Sequence, residues 1–190
     1  MAMVGLRMPP ETGRLLSEID VPGERVDLGH SHVTVMYVGD DIPIDVVLKA
    51  ASACFDVAQV FRPIKCLTKE TTCFPPTDEG KHPVVCPIHS PGLHALKRAL
   101  NAAFDAQGIP YSKKFPEYRP HTTLSYADAA VDARSFDPIE WTAFELTVWG
   151  GDNRDSRIVI TVPFSFKSDA KLATHVALRC LNPSRSPRSL

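Results

Sequence analysis

The sequence contains one short segment twice, in closely similar form. HVTVMY begins at His32 and HTTLSY begins at His121, and the two copies share His, Thr and Tyr at matching positions. The offset is 89 residues both for the histidines (121 − 32) and for the threonines (123 − 34). Both copies are rich in β-branched and aromatic residues, which favour strands. We therefore expect two related lobes, each of which supplies one such strand to a shared groove.

The spacing within each copy has a chemical meaning on a strand. Residues two apart point to the same face, so His32 projects with Thr34, and His121 projects with Thr123. An imidazole exchanges a proton near neutral pH, and a threonine hydroxyl donates a hydrogen bond to a phosphoryl oxygen. Two facing pairs supply an acid, a base and two anion donors, which is sufficient for in-line displacement at a phosphodiester. We expect the histidines to be catalytic and the threonines to bind the phosphate, although a lone strand histidine would more simply be a core residue.

The remaining sequence alternates between helical and strand patterns. Apolar residues at helical spacing predict helices over about 11–19, 44–58 and 91–107, the last with Ser90 as its N-cap and Pro91 at its first position. Strand-like segments occur at about 3–8, 32–38, 62–68, 82–88, 121–127, 144–150 and 157–164. This order indicates the α+β class, and 190 residues suit one domain with two small lobes.

Composition and charge narrow the classes of partner. The net charge is −1 and no apolar run is long enough to span a membrane, so we expect a cytoplasmic protein with no membrane partner. Five cysteines without a Cys-x-x-Cys pair suit reduced thiols. Residues 1–170 carry 17 basic and 22 acidic groups, a balance of −5, and the last 20 residues carry four basic groups and no acid. We expect a domain over 1–168 and a basic tail over 169–190, disordered or with a short helix at 173–181.

The two motifs, together with Pro120 and the amphipathic segment 90–111 that leads into the second, resemble the 2H phosphoesterases. The resemblance covers roughly residues 3–166 and implies two ferredoxin-like halves whose antiparallel sheets flank a central cleft. It also implies chemistry without a metal or cofactor on 2′,3′-cyclic phosphates, 2′-5′ linkages or cyclic nucleotides. Some enzymes of the last class, from phages, degrade cyclic oligonucleotide immune signals. The expected partner is a nucleotide or oligonucleotide that contains a cyclic phosphodiester, and the motifs leave open which one, and which histidine is the acid.

Five further residues are candidates for substrate contacts. Tyr37 and Tyr126 each follow a motif histidine by five positions, so strict alternation points them into the core, whereas a bulge would turn them into the cleft. In some members of the resembling family, the residue at that place contacts the substrate base. The segment SKKFPEYRP adds Lys114, Tyr118 and Arg119, a basic and aromatic cluster that suits phosphate binding and base stacking, or is simply a solvated loop.

Three alternatives to a catalytic phosphodiesterase site are less well supported. A metal site at His30, His32 and His121 is disfavoured because no acid or cysteine stands at a supporting spacing, so we expect no metal. An RNA-end binding or RNA-joining protein could use the same groove, but such a protein would be expected to carry more positive charge than the balance of −5 over residues 1–170. A nucleotide-binding module without catalysis would not need two proton carriers.

Overall fold

The architecture is given by a computed structural model that describes residues 1–28, 31–114, 117–150, 158–165 and 177–180. Within these residues the chain forms three helices and ten strands. The helices are α1 (Pro10–Ser17), α2 (Ile44–Ala58) and α3 (Pro91–Ala106). The strands are β1 (Ala2–Arg7), β2 (Glu24–Arg25), β3 (His32–Gly39), β4 (Ile64–Cys73), β5 (His82–Pro87), β6 (His121–Ala127), β7 (Arg134–Ala143), β8 (Glu145–Gly150), β9 (Ile158–Pro163) and β10 (Ala177–Cys180).

The strands form two antiparallel sheets, one in each lobe. The first sheet has the order β10-β9-β8-β1-β3, and the second has the order β2-β6-β5-β4-β7. Each sheet therefore contains one motif strand, β3 at an edge of the first and β6 inside the second. The α+β class and the bilobal arrangement predicted from the sequence are confirmed.

One hydrophobic core extends through both lobes. Helix α2 packs on β8 and β9 of the first sheet and also contacts α3, which packs on β4 of the second. The core face of α3 consists of four fully buried side chains, Leu93, Leu96, Leu100 and Phe104. Each large apolar side chain that is removed from water contributes about 1.5–3 kcal/mol, so this stripe fixes the helix against the sheet.

The start of α3 is fixed by Ser90, the predicted N-cap. Its hydroxyl oxygen accepts a hydrogen bond from the backbone N–H of Leu93 at 3.4 Å and donates one to the carbonyl of Lys65 at 2.7 Å. The same side chain therefore caps the helix and connects it to β4.

Three strands differ from the sequence prediction. Strand β7 was not predicted, since Pro138 interrupts its pattern, and β2 has only two residues. The tail was expected to be disordered or to contain a short helix at 173–181, whereas Ala177–Cys180 form β10 antiparallel to β9. The backbone N–H and C=O groups at the edge of β9 form hydrogen bonds with a paired strand, whereas a helix at 173–181 would leave them without partners in the sheet. This pairing accounts for the difference. The rest of the predicted tail, 169–176 and 181–190, lies outside the described residues.

The helices of the described ranges are all too short or too polar to cross a membrane.

Replacement of Ser90 by Ala is expected to lower the free energy of unfolding by about 1 to 2 kcal/mol, because both hydrogen bonds of the cap are lost. Urea unfolding followed by circular dichroism measures the change. Ser17→Ala is the matched control, since this exposed hydroxyl donates only to the carbonyl of Arg14 at the end of α1. Equal stability of the Ser90 variant and the wild type would contradict the assigned role.

Candidate active site

Strand β3 carries three motif side chains on one face because it contains a β-bulge. Val4 of β1 pairs with Met36, and the next residue, Gly5, pairs with Thr34, so Val35 between them is left unpaired. The extra residue reverses the alternation beyond it, so Tyr37 returns to the face that carries His32 and Thr34. Burial agrees with this register, since these three side chains are half-buried and the side chains between them are buried. We call this face the cleft face.

Strand β6 has the same arrangement. Leu124 is left unpaired opposite β5, so that His121, Thr123 and Tyr126 share one face. Val35 and Leu124 are 89 residues apart, which is also the offset between the histidines. The internal repeat thus includes a backbone irregularity as well as side chains, and the bulge places both tyrosines on the cleft face of their strands.

The two motif strands meet between the lobes, where residues of β3 and β6 approach with Cα atoms within 8 Å. Burial is the main cause that lowers the pKa of His121 below its ordinary value. The hydrogen bond to the Arg119 carbonyl opposes this shift, and the charge of His32 adds to it. The two imidazoles therefore lie close enough for the charge of one to act on the other.

The tautomer of His121 is fixed by its backbone contact. Nδ1 lies 2.7 Å from the carbonyl oxygen of Arg119, and a carbonyl oxygen can only accept a hydrogen bond. Nδ1 therefore carries a hydrogen in both charge states of the ring. Nε2 is the atom that gains or loses a proton, and its lone pair is available when the ring is neutral.

Each motif histidine packs against an aromatic ring from another part of its own lobe. The ring centroids of His32 and Trp149 are 5.4 Å apart, and those of His121 and Phe74 are 4.7 Å apart with the rings edge to face. Neither aromatic residue was identified from the sequence. Their positions beside the histidines depend on strand order within each sheet, which short-range periodicity does not contain.

Gly5 is a further residue of the site that the sequence analysis missed. It pairs with Thr34 on one side and with Thr147 on the other. A Cβ atom at this position would lie 2.5 Å from the carbonyl oxygen of Val33 and 3.2 Å from the Trp149 ring. A glycine inside a predicted strand signals such a close approach and could have identified it.

Arg7 places a positive charge beside the first motif. It is the direct cross-strand partner of His32, so the two side chains leave the sheet on the same face. The residue is exposed at the end of β1. The sequence analysis predicted the strand that contains Arg7 but did not identify Arg7 as a site residue, because the sequence does not indicate which strand lies beside it.

A loop from the second lobe covers the edge of β3. We call residues 111–120, apart from 115–116, the bridging loop. The backbone N–H of Ser112 donates to the carbonyl of Tyr37 at 2.9 Å, and the hydroxyl of Tyr118 donates to the carbonyl of Thr34 at 3.3 Å. The ammonium of Lys97 lies 5.7 and 5.8 Å from the centroids of the two tyrosine rings of this loop. The segment that leads into His121 is thereby attached to the strand that carries Thr34.

The candidate substrate contacts occupy different surroundings. Tyr118 is half-buried, with its hydroxyl bound to the protein. Arg119 is exposed and its guanidinium is bound to Glu117 at 2.9 Å. Lys114 is exposed, and Tyr126, 38% exposed, lines a separate cavity at the far end of β6.

The phenol of Tyr37 is also engaged. Burial, followed by a hydrogen bond to Asp40 and the charges of Asp40 and Asp41, raises the pKa of Tyr37 to about 12. The hydroxyl therefore stays protonated at neutral pH.

The metal site that the sequence disfavoured includes His30, which lies outside the described residues. Among the residues that the structure does describe, no group of three or more His, Cys, Asp or Glu side chains is arranged to hold a metal ion.

Comparison with known proteins agrees with this geometry. Residues 22–155, which include both motifs, match the 2′-5′ RNA ligase superfamily, and the chain belongs to that family. The resemblance to the 2H phosphoesterases is confirmed, and membership supports an activity of the phosphoesterase type. No curated protein matches the chain.

Solved structures share the fold at low sequence identity. TT0787 of Thermus thermophilus is 19% identical, with a TM-score of 0.63 over 89% of this chain and 99% of that one. E. coli LigT complexed with NADP+ is 17% identical, with a TM-score of 0.55 over 86% of this chain and 94% of that one. LigT complexed with 3′-AMP is 18% identical, with a TM-score of 0.51 over 94% of this chain and 98% of that one.

Replacement of Tyr118 by Phe is expected to lower kcat for phosphoester cleavage by about 3- to 10-fold, the equivalent of one ordinary hydrogen bond. KM for a nucleoside 2′,3′-cyclic phosphate should change little, because the ring remains and only the bond that positions Thr34 is lost. Steady-state kinetics on a nucleotide substrate separate the two constants.

Tyr111→Phe is the matched control for this variant. Tyr111 lies on the same loop and near the same Lys97, but its hydroxyl donates to Asp105 and not to a motif strand. Its kinetics should equal those of the wild type. Equal losses in the two variants would mean that the loop acts only through general stability.

Proposed function

We propose that the protein is a phosphodiesterase that uses two histidines and no metal ion to hydrolyse cyclic phosphodiester bonds in nucleotides or RNA ends. The substrates in this class are 2′,3′-cyclic phosphates, 2′-5′ linkages and cyclic oligonucleotides such as immune signals. The observation that carries the proposal is the pair His32 and His121 on adjoining strands, each with a threonine two residues later on the same face. The complex of LigT with 3′-AMP supports a nucleotide as the ligand.

The unequal surroundings of the two histidines suggest a division of labour. His121 is held neutral by its lowered pKa, with Nδ1 protonated, so Nε2 accepts the proton of the attacking oxygen. The O–P bond then forms as the opposite P–O bond breaks, and protonated His32 gives its proton to the leaving oxygen. Thr34 and Thr123 donate to the phosphoryl oxygens, and Arg7 adds positive charge beside His32.

Two other functions remain as competing hypotheses. An RNA-joining or RNA-end binding protein would bind RNA ends in the same groove, and product analysis with RNA substrates distinguishes joining from cleavage. A nucleotide-binding module would bind nucleotides with equal affinity in wild type and in histidine variants, and neither would show turnover. The excess of acidic groups over residues 1–170 favours a small substrate over a long nucleic acid.

His32→Ala and His121→Ala are each expected to lower kcat/KM by about 100-fold or more, the usual contribution of general acid or base catalysis. Thr34→Ala and Thr123→Ala should each cost about 2 to 4 kcal/mol of transition-state stabilisation. The double histidine variant should be little worse than the poorer single one, because both act in one transition state. His82→Ala, at the other end of β5, is the control, and full activity in either motif variant would remove that histidine from the mechanism.

The acid limb of kcat/KM against pH is expected to lie below about pH 6.5, the ordinary pKa of histidine. The direction follows from the lowered pKa of His121: as pH falls through that value, the base becomes protonated and activity is lost.

The same shift predicts a stability effect. The unfolded chain binds this proton more tightly than the folded chain does. The contribution of His121 to the free energy of unfolding is therefore complete above about pH 6.5 and is lost as pH falls through the pKa of the folded state. An acid limb above this pH would contradict the assignment of His121 as the base.

Removal of divalent metal ions is expected to leave activity unchanged, because side chains supply every proton transfer and hydrogen bond in the proposed mechanism. The measurement is the initial rate before and after dialysis against excess EDTA. A loss that a divalent cation restores would contradict the proposal and implicate His30 as a metal ligand.

A further inference from the structure

A cavity of about 560 Å³ adjoins the second catalytic histidine. We call it the side chamber. It lies where the ends of β4 and β5, the start of α3 and the end of the bridging loop come together, and its volume is within the usual range of small-molecule sites. Its walls include Phe74, His89, His94, Tyr118, Arg119 and His121.

Rings form much of the wall of the side chamber. Phe74 packs against His121, and the ring of His94 lies 5.5 Å from that of Tyr118, edge to face. The Tyr118 ring is held in place by its hydroxyl bond to Thr34. Flat apolar faces next to imidazole nitrogens suit a heterocyclic base, which stacks through its faces and forms hydrogen bonds through its edge.

Two polar side chains in the wall of the side chamber already have partners in the protein. Arg119 binds Glu117, and Nε2 of His89 lies 3.4 Å from a carboxylate oxygen of Glu70. These side chains therefore offer little attraction to a second phosphate, and the chamber suits an uncharged base and ribose better. The cavity at the far end of β6, about 590 Å³, has three carboxylates and two cations in its wall, Glu24, Asp78, Glu79, Arg25 and Lys81. Both cations already have partners, Arg25 in backbone carbonyls and Lys81 in Asp128, so this cavity is no better suited to a phosphate.

We propose that the side chamber binds a nucleoside of the substrate, the one attached to the ester oxygen on the His121 side of the phosphorus. This inference rests on the proposed function and selects among its substrates. A 2′-5′ linkage or a cyclic oligonucleotide has a nucleoside on both sides of the cleaved phosphate, so one occupies the chamber. A nucleoside 2′,3′-cyclic phosphate carries only one nucleoside. Its leaving oxygen is a ribose oxygen that receives the proton of His32, so this nucleoside lies on the His32 side and leaves the chamber to water.

Cys73 provides a direct probe of occupancy. It is half-buried and lines the side chamber, whereas Cys54, Cys66 and Cys86 are buried. In a His32→Ala, Cys180→Ser variant, iodoacetamide labelling of Cys73 is followed by mass spectrometry. Saturating adenylyl-(2′-5′)-adenosine is expected to slow the labelling several-fold, whereas inorganic phosphate should not. Unchanged labelling, under conditions where intrinsic tryptophan fluorescence reports saturated binding, would overturn the proposal.

Kinetics of wall variants provide the second test. His94→Ala and Phe74→Leu are expected to reduce the ratio of kcat/KM for adenylyl-(2′-5′)-adenosine to that for adenosine 2′,3′-cyclic phosphate by about 10-fold or more, the scale of one base–aromatic stack. Phe144→Leu, an exposed phenylalanine between β7 and β8, is the control and should keep the ratio. An unchanged ratio in the wall variants would contradict the proposal.

The two tests separate this inference from the proposed function. Protection of Cys73 without turnover of any phosphodiester would overturn the enzymatic function and leave the binding site supported. Turnover of the dinucleotide without protection, and with an unchanged ratio, would overturn the side chamber and leave the function supported.

Discussion

The site depends on the attachment of edge strand β3 to the second lobe. An edge strand presents unpaired carbonyl groups, and those of Thr34 and Tyr37 accept hydrogen bonds from the bridging loop of the other lobe. The same loop continues into His121. One short segment therefore connects the strand of the first motif directly to the histidine of the second, and positional accuracy of this kind is what catalysis by paired groups requires.

Local periodicity was enough to predict which side chains share a face in the candidate site. A period of two pairs each histidine with its threonine, and the 89-residue repeat indicates two lobes. Periodicity could not decide the orientation of Tyr37 and Tyr126, because that depends on bulges at Val35 and Leu124, which appear only when strand partners are known. Tertiary structure also changed two local expectations. The Tyr118 ring does line a cavity, but its hydroxyl binds the edge of β3, and the apolar segment around Ala177 pairs with β9 because an open sheet edge competes with a short isolated helix.

The repeated motifs are equivalent in sequence but not in their surroundings. Arg7 stands opposite His32, whereas Pro87 stands opposite His121, and the side chamber adjoins only the latter. Burial lowers the pKa of His121. Different charge, burial and open volume around two similar imidazoles are sufficient to give them different roles.

Both motifs are proposed to act on one phosphate held between the lobes. This can be measured by titrating ¹⁵N-histidine-labelled protein with 3′-AMP while the ring nitrogens of His32 and His121 are followed by NMR. We expect both sets of resonances to shift together, with one Kd and one ligand per chain. A response of only one histidine, or two independent Kd values, would show that the motifs do not share a phosphate.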